Sequence, residues 1–409
     1  MLRRRALTTC LVSLLAAPLV TTQAGTAAPP PPDMSDAVVV AWARTANRTV
    51  FNEAGLAPPV GALYLGFTSL AVHDAVQTAV RQGNASPQAA AAAAAHDVLV
   101  EYFVNHPVLP SPSPVTPGLL SSDLAASLAT VPDGRAENKG VRIGRRAAAD
   151  MIASRLGDGR NDPSFVYSRP DEPGVWQPPP TGMLAPWLGY VRPLVLGRPV
   201  AVDGPDPLDS AAYAADFEEV RVDGSKLSTD DGKLQTARFF SGNPVPAYQE
   251  AIAAWLAGHP KPITRTARLF ADLNAAVADA ARNSWRLKFE VGYWRPVEAI
   301  REATEDGNDA TTADPTWEPR VPTPPYSDYV SGHAVVTSSF AETVRIHLGD
   351  IQLRIASPVT GTTREYTTWA LEHDALLARI WLGIHFRDAM EDGYLLGHET
   401  ARRVHRRLG

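Results

Sequence analysis

The sequence predicts an all-α protein, and three features carry that expectation. From Met34 onward most segments repeat apolar residues at three- and four-residue spacing, the period of a helix that buries one face. Alanine-rich blocks such as Ala89–Ala95 favour helix, because alanine loses no side-chain freedom on entering one. Strand-like alternation is missing before residue 158, and beyond it the one strand candidate is Ile351–Ile355.

In chain order, Ser35 can cap a first helix whose buried stripe is Val38, Val39, Trp42 and Ala43. A second starts near Leu63 (YLGFTSLAVHDAVQTAV), and the alanine block running into HDVLVEYFV makes a third. Another spans roughly Arg135 to Leu156 and stops at Gly157. Residues 158–208 then lose all periodicity, and prolines crowd Pro170 to Pro186. A loop of this length reads as a collar or lid over a site, or as a surface excursion, anchored through Trp176, Trp187 and Tyr190.

Helix resumes at Asp209 and Ser210, running to Val222, and again from Pro246 to about Leu256. A long helix from Thr264 carries the stripe Leu269, Phe270, Leu273, Val277 and Ala280. After a polar, proline-rich connection over 302–329, helices are expected from His333 to Gly349, Thr367 to Ile380 and Asp388 to Arg407. No fixed-period repeat is present. The chain divides into an export signal (1–28), an N-terminal helical region (29–260) that includes the loop 158–208, and a catalytic region (261–409).

The export reading rests on Arg3 to Arg5, an apolar run from Ala6 to Val20, and small residues with cleavage expected after Ala24 or Ala28. That run is short for a membrane span, which needs ~20 apolar residues, so the mature chain is expected to be secreted without a stable span. Cys10, the one cysteine, would leave with the signal, so the mature chain is expected to have neither disulfides nor thiol chemistry. Without the three arginines the charge goes from 38 − 44 = -6 to 35 − 44 = -9. A net acidic chain without basic stripes offers no electrostatic footprint for nucleic acid.

The chemistry concentrates in three late fragments: KFEVGYWRP with Lys288 and Arg295, YVSGH with Ser331, Gly332 and His333, and ARIWLGIHF with Arg379 and His385. Lys288 and Arg295 are seven residues apart and are expected on one helix face, since two turns span ~7 residues. Two guanidinium forks and an ammonium suit an oxyanion. Ser331 can cap the helix that follows, leaving the Gly332 and His333 amides to face the anion. Two imidazoles add chemistry, one to attack or coordinate the central atom and one to move a proton. Set against this, single arginines and lysines on helices are mostly solvated; the joint pattern carries the signal.

That pattern of Lys, six residues, Arg-Pro, then Ser-Gly-His, then Arg, five residues, His resembles the signature of vanadium-dependent haloperoxidases and type 2 phosphatidic acid phosphatases. The resemblance covers about the last 120 residues, and more loosely extends to the AVHDAV segment of the N-terminal half, as in bacterial haloperoxidase-like proteins. It implies packed helical bundles with the anion site in the C-terminal half. It assigns Lys288, Arg295 and Arg379 to the equatorial oxygens of vanadate or phosphate, with Ser331 and Gly332 bonding the same oxygens. His385 would bind vanadium or, in a phosphatase without metal, take the phosphoryl group; His333 would be the acid/base. Trp285, one turn before Lys288, favours the haloperoxidase branch, and Tyr326 is a candidate for the halide side.

Three departures stand out. Val330 replaces a common proline, Ala378 a common serine, and Ala389 the aspartate usually found four residues after the metal-binding histidine. Asp388 or Asp392 is the expected substitute carboxylate for His385. The expected activity is vanadate-dependent oxidation of halide by hydrogen peroxide, with a small organic acceptor possible. The alternatives are a secreted acid phosphatase acting on a phosphate ester through a phosphohistidine, and an oxyanion-binding protein with little turnover.

Overall fold

The computed structural model describes residues 35–108 and 113–409; the segment expected to be an export signal lies outside them. The described residues form thirteen α-helices and one two-stranded hairpin, which makes the protein all-α as expected. Helices α1 (Ala37–Asn47), α2 (Pro58–Gln82), α3 (Pro87–Val100), α4 (Thr116–Leu128) and α5 (Arg135–Ser154) build the first half. Then follow α6 (Ala211–Asp223), α7 (Asp231–Phe239), α8 (Pro244–Gly258), α9 (Ile263–Glu290) and α10 (Pro296–Arg301). The chain closes with α11 (Gly332–Leu348), strands β1 (Leu353–Ala356) and β2 (Thr363–Tyr366), α12 (Thr368–Trp381) and α13 (Arg387–Leu408).

The molecule is assembled around α9. From Leu269 to Trp285 every residue of this helix is buried, so it is a central rod rather than a surface helix. It packs against α2 from the N-terminal half and against α11 and α13 from the C-terminal half. One continuous apolar core therefore runs from Val38 through Phe270 to Ala378. The alanine block has a packing reason as well as a propensity one. Ala89–Ala95 are all buried, and Gly140 and Gly144 on α5 lie against them. A Cβ on Gly144 would come within 2.3 Å of the Ala90 carbonyl, so these two helices meet at backbone distance.

Helices α4, α7 and α10 and strand β2 are not among the elements expected from periodicity. Helix α4 (TPGLLSSDLAASL) mixes Pro, Gly and Ser and buries only Thr116 and Leu120, so its period is weak. Strand β1 overlaps the candidate at 351–355 and pairs antiparallel with β2 in the register Leu353↔Tyr366 to Ala356↔Thr363. Among the described residues no helix is long and apolar enough to cross a membrane.

The loop 158–208 is a collar. Trp176 is buried and its N–H donates to Gly292 O at 2.8 Å, while Trp294 N–H donates back to Gly174 O at 3.0 Å. Gln177 N–H donates to Glu298 Oε1 at 3.0 Å, and Leu184 N–H to Pro325 O at 2.9 Å. Trp187 and Tyr190 are only partly buried; Tyr190 stacks on Phe165 with centroids 4.3 Å apart. All these bonds grip the segments that carry Lys288, Arg295 and Tyr326.

Candidate oxyanion site

Lys288 and Arg295 do not share a helix face. Helix α9 ends at Glu290, Gly292 takes a left-handed φ of +65°, and Arg295 is the residue that caps α10. The seven-residue spacing is spent on a turn instead of two helical turns, and the turn brings the guanidinium back beside the ammonium. Gly292 suits the turn twice over, since a Cβ there would also meet the Tyr167 hydroxyl at 2.3 Å. Glu298 closes the turn by accepting the Arg295 N–H at 2.7 Å.

Both cations are fully buried. Lys288 Nζ donates to Ser327 O and Asp328 O, each at 2.8 Å. Arg295 donates through Nε to Tyr326 O at 2.7 Å and through Nη1 to Ile384 O at 2.6 Å. The Tyr326 ring lies beneath both charges, 5.0 Å from Lys288 Nζ and 4.9 Å from Arg295 Cζ, and packs on Trp285. Trp285 is pinned by its own N–H to Leu184 O at 2.9 Å, so the collar holds this aromatic floor.

Ser331 caps α11, accepting the Ala334 N–H at 3.3 Å, which leaves its own hydroxyl proton to donate. Gly332 lies against Trp285, where a Cβ would reach Cζ3 at 3.0 Å. His333, partly buried, has Nε2 3.3 Å from Gly242 O. That contact puts the ring proton on Nε2 and leaves Nδ1 a lone pair. Arg379 is buried on the last turn of α12, which ends at Trp381. Gly383, at φ +76°, then breaks the helix, and His385 sits in the turn before α13. The break lets two residues that would lie on different faces of one helix approach the same centre.

The carboxylate that holds His385 is neither Asp388 nor Asp392. Asp328 is fully buried, and its Oδ1 lies 2.7 Å from His385 Nδ1 and 3.5 Å from Arg295 Nη1. The first is a polar contact to the imidazole and the second an ion pair, and the alignment of both falls short of hydrogen bonds. Asp392 instead accepts from the Tyr329 hydroxyl. Asp388 lines a cavity of about 10 Å³ with Asp206, Asp216 and Asp328 among its walls. Asp328 went unrecognised because 57 residues separate it from His385 (385 − 328). The available signal was chemical: a ligand imidazole lacking its usual partner at Ala389 needs a carboxylate from elsewhere.

Burial dominates the ionisation. It pulls Lys288 well below its ordinary value, with Arg295 adding repulsion, and Arg379 down to about 10. It likewise drives both imidazoles well below theirs, reinforced chiefly by Arg379 at His333 and by Arg295 at His385. The neutral rings therefore each keep a free lone pair, and in the absence of an anion the site disfavours protonating them. Burial lifts Asp328 to about 7 against the pull of Arg295 and Lys288.

The residues fit a bound oxyanion. Arg295 Nη2 and Arg379 Nε are buried donors without a hydrogen-bond partner. Formally three buried cations face one buried carboxylate, 3 − 1 = 2 positive charges in excess, and such an excess is costly unless an anion answers it. Compared with known proteins, the chain aligns over 93% of its length with the crystal structure of the first bacterial vanadium-dependent iodoperoxidase, covering 99% of that chain. The TM-score is 0.72 at 20% identity. The chain has the vanadium-haloperoxidase fold.

Three further matches agree. A holo-type bacterial vanadium-dependent chloroperoxidase gives a TM-score of 0.69 at 16% identity, covering 90% of this chain and 96% of that one. Residues 268–409, which contain all three motifs, match the model of the VCPO second helical-bundle domain. The vanadium chloroperoxidase of Curvularia inaequalis is 26% identical over 171 residues, 30% of this chain. This chain covers 27% of that protein's length, about a quarter.

Proposed function

We propose that this protein is a vanadium-dependent haloperoxidase. One observation carries the reading: two buried guanidinium groups with unpartnered N–H donors converge with Lys288 on an imidazole backed by a buried carboxylate. Lys288, Arg295, Arg379, Ser331 and the Gly332 amide would hold vanadate oxygens, and His385 would ligate vanadium. Bound vanadate would supply a Lewis-acidic centre that activates hydrogen peroxide toward halide.

The chain's own residues prepare that chemistry. Asp328 engages His385 Nδ1, so Nε2 is the nitrogen that would be offered to vanadium. Lys288 and Arg295 are fixed by backbone carbonyls before any ligand arrives, which preorganises their charge for the reaction. Trp285 and Tyr326 close one side against water. Halide oxidation (X⁻ + H₂O₂ + H⁺ → HOX + H₂O) consumes a proton, and His333 Nδ1, neutral beside Arg379, is the group placed to accept one and pass it on. The same cage accommodates phosphate, so hydrolysis of a phosphomonoester is the competing outcome. Export follows from the N-terminal arginines and apolar run, and is part of the same proposal.

The deciding experiment assays purified protein for bromide and iodide oxidation with and without orthovanadate, and for p-nitrophenyl phosphate hydrolysis. Vanadate-dependent halide oxidation is expected, abolished by His333→Ala. Hydrolysis inhibited by vanadate, with no halide oxidation, would overturn the reading in favour of a phosphatase.

A further inference from the structure

A second cluster of ligand-type side chains lies far from the cage. Asp272, on α9, stands sixteen residues before Lys288, so about 24 Å separates them along the helix axis. It is buried, and one of its oxygens, Oδ2, is approached by two imidazoles: His347 Nε2 at 2.8 Å and His405 Nδ1 at 2.7 Å. Among the described residues this is the grouping whose ligand atoms all fall within 4.8 Å of one another. We propose that Asp272, His347 and His405 form a divalent transition-metal site of the zinc class, with three protein ligands and one solvent position.

Four observations support this. First, the ligands come from three helices that already pack together, α9, α11 and α13, so the site is built on rigid elements. Second, Arg268 Nε occupies Oδ1 at 2.7 Å and leaves Oδ2 to the imidazoles. Third, His347 lies in the last turn of α11 and His405 in the last turn of α13, where the negative ends of both helix dipoles favour a cation. Arg268 already exploits that potential by donating to His405 O and Leu408 O.

Fourth, the geometry needs little change. Zinc binds nitrogen and carboxylate oxygen at ~2.0–2.2 Å, which sets tetrahedral ligand atoms about 3.3 Å apart. The present separations from Oδ2 are 2.7 and 2.8 Å, so those two edges open by about half an ångström, while the two imidazole nitrogens already lie within 4.8 Å of each other. The His405 side chain, 40% exposed in the last turn of α13, can give that much. His347 also lines a cleft of about 600 Å³ with Trp255, Lys261, Arg265 and Arg268, and the fourth position would face it. Two imidazoles and one carboxylate from helices, with an open site, match the donor set zinc takes in water-activating centres.

The test uses the full chain without a histidine tag, stripped with chelator and titrated with Zn²⁺ alone by calorimetry, with metal content measured after dialysis. One zinc per chain is expected at micromolar affinity or tighter. His405→Ala and His347→Gln should each weaken binding by ~100-fold, while His385→Ala, in the cage, leaves it unchanged. Cobalt in place of zinc should give the intense visible bands of a tetrahedral site. Wild-type protein that binds no zinc, variants that bind as the parent does, or cobalt spectra of octahedral type would each overturn the proposal. The cobalt spectrum needs no variant, so the test stands even if a substitution unfolds the chain.

Discussion

At the scale of single residues, Asp328 is the decisive finding. It performs two tasks at once, orienting His385 and offsetting part of the charge of Lys288 and Arg295. Its replacement should therefore hurt twice. Asp328→Ala is expected to weaken vanadate binding 10–100-fold, by analogy with the usual cost of losing a carboxylate behind a metal-bound imidazole. It should also lower the melting temperature of the anion-free protein, because two buried cations lose their counter-charge. Calorimetric titration with orthovanadate and thermal melts measure the two effects separately; unchanged affinity would remove the positioning role.

Asp388 is a residue of the opposite kind. It shares a small cavity with other carboxylates, and burial followed by repulsion from Asp392 and Asp206 raises it to about 7. A carboxyl raised in the folded state holds its proton more tightly there than in the unfolded chain. Its destabilising effect is thus absent below its unfolded value, grows as pH rises, and is complete above about 7. Asp388→Asn is accordingly expected to raise the melting temperature by a few degrees at pH 8 and to leave it unchanged near pH 4. Equal shifts at both pH values would contradict the cause given.

At the scale of elements, the site is made by chain breaks. Helix α9 stops two residues past Lys288, α11 starts at Gly332, and α12 stops two residues past Arg379. Each motif therefore places a charged or polar group at a helix end rather than along a face. Gly383 shows how tight this arrangement is. It has a left-handed φ, and a Cβ there would meet Gly224 O at 2.5 Å and Pro319 Cα at 3.0 Å. Gly383→Ala should cost about 1–3 kcal/mol through backbone strain, plus the contact with the neighbouring backbone. The measurement is chemical denaturation followed by tryptophan fluorescence. Because His385 is two residues away, vanadate affinity should fall along with stability; full affinity would mean that the turn does not set the ligand.

At the scale of the molecule, the two halves share one core around α9, and the collar 158–208 ties the N-terminal half to the site. The site brings three cationic side chains and one carboxyl together inside that core. Orthovanadate or phosphate should therefore stabilise the whole fold, since a ligand bound only by the native state adds RT ln(1 + [L]/Kd), about 2.7 kcal/mol at a hundredfold excess over Kd. Differential scanning calorimetry should show the melting temperature climbing with anion concentration, and Arg379→Ala should flatten the rise. No shift in the wild type would argue against an oxyanion cage of any kind.

The sequence by itself determined the helical class and pointed to the seven residues proposed for the cage: Lys288, Arg295, Ser331, Gly332, His333, Arg379 and His385. Those were legible because periodicity and motif spacing are local, and local order in the chain survives folding. The same logic failed where local order was not enough. Seven residues between Lys288 and Arg295 are compatible with two helical turns or with one turn and a break, and only packing against the collar selects the break. Asp328, the carboxylate behind His385, and the meeting of Asp272 with His347 and His405 are contacts across 57 to 133 residues of chain. Such contacts leave no period and no spacing to read. They were decided by the tertiary structure, because a buried charge takes whatever partner the packed helices bring to it.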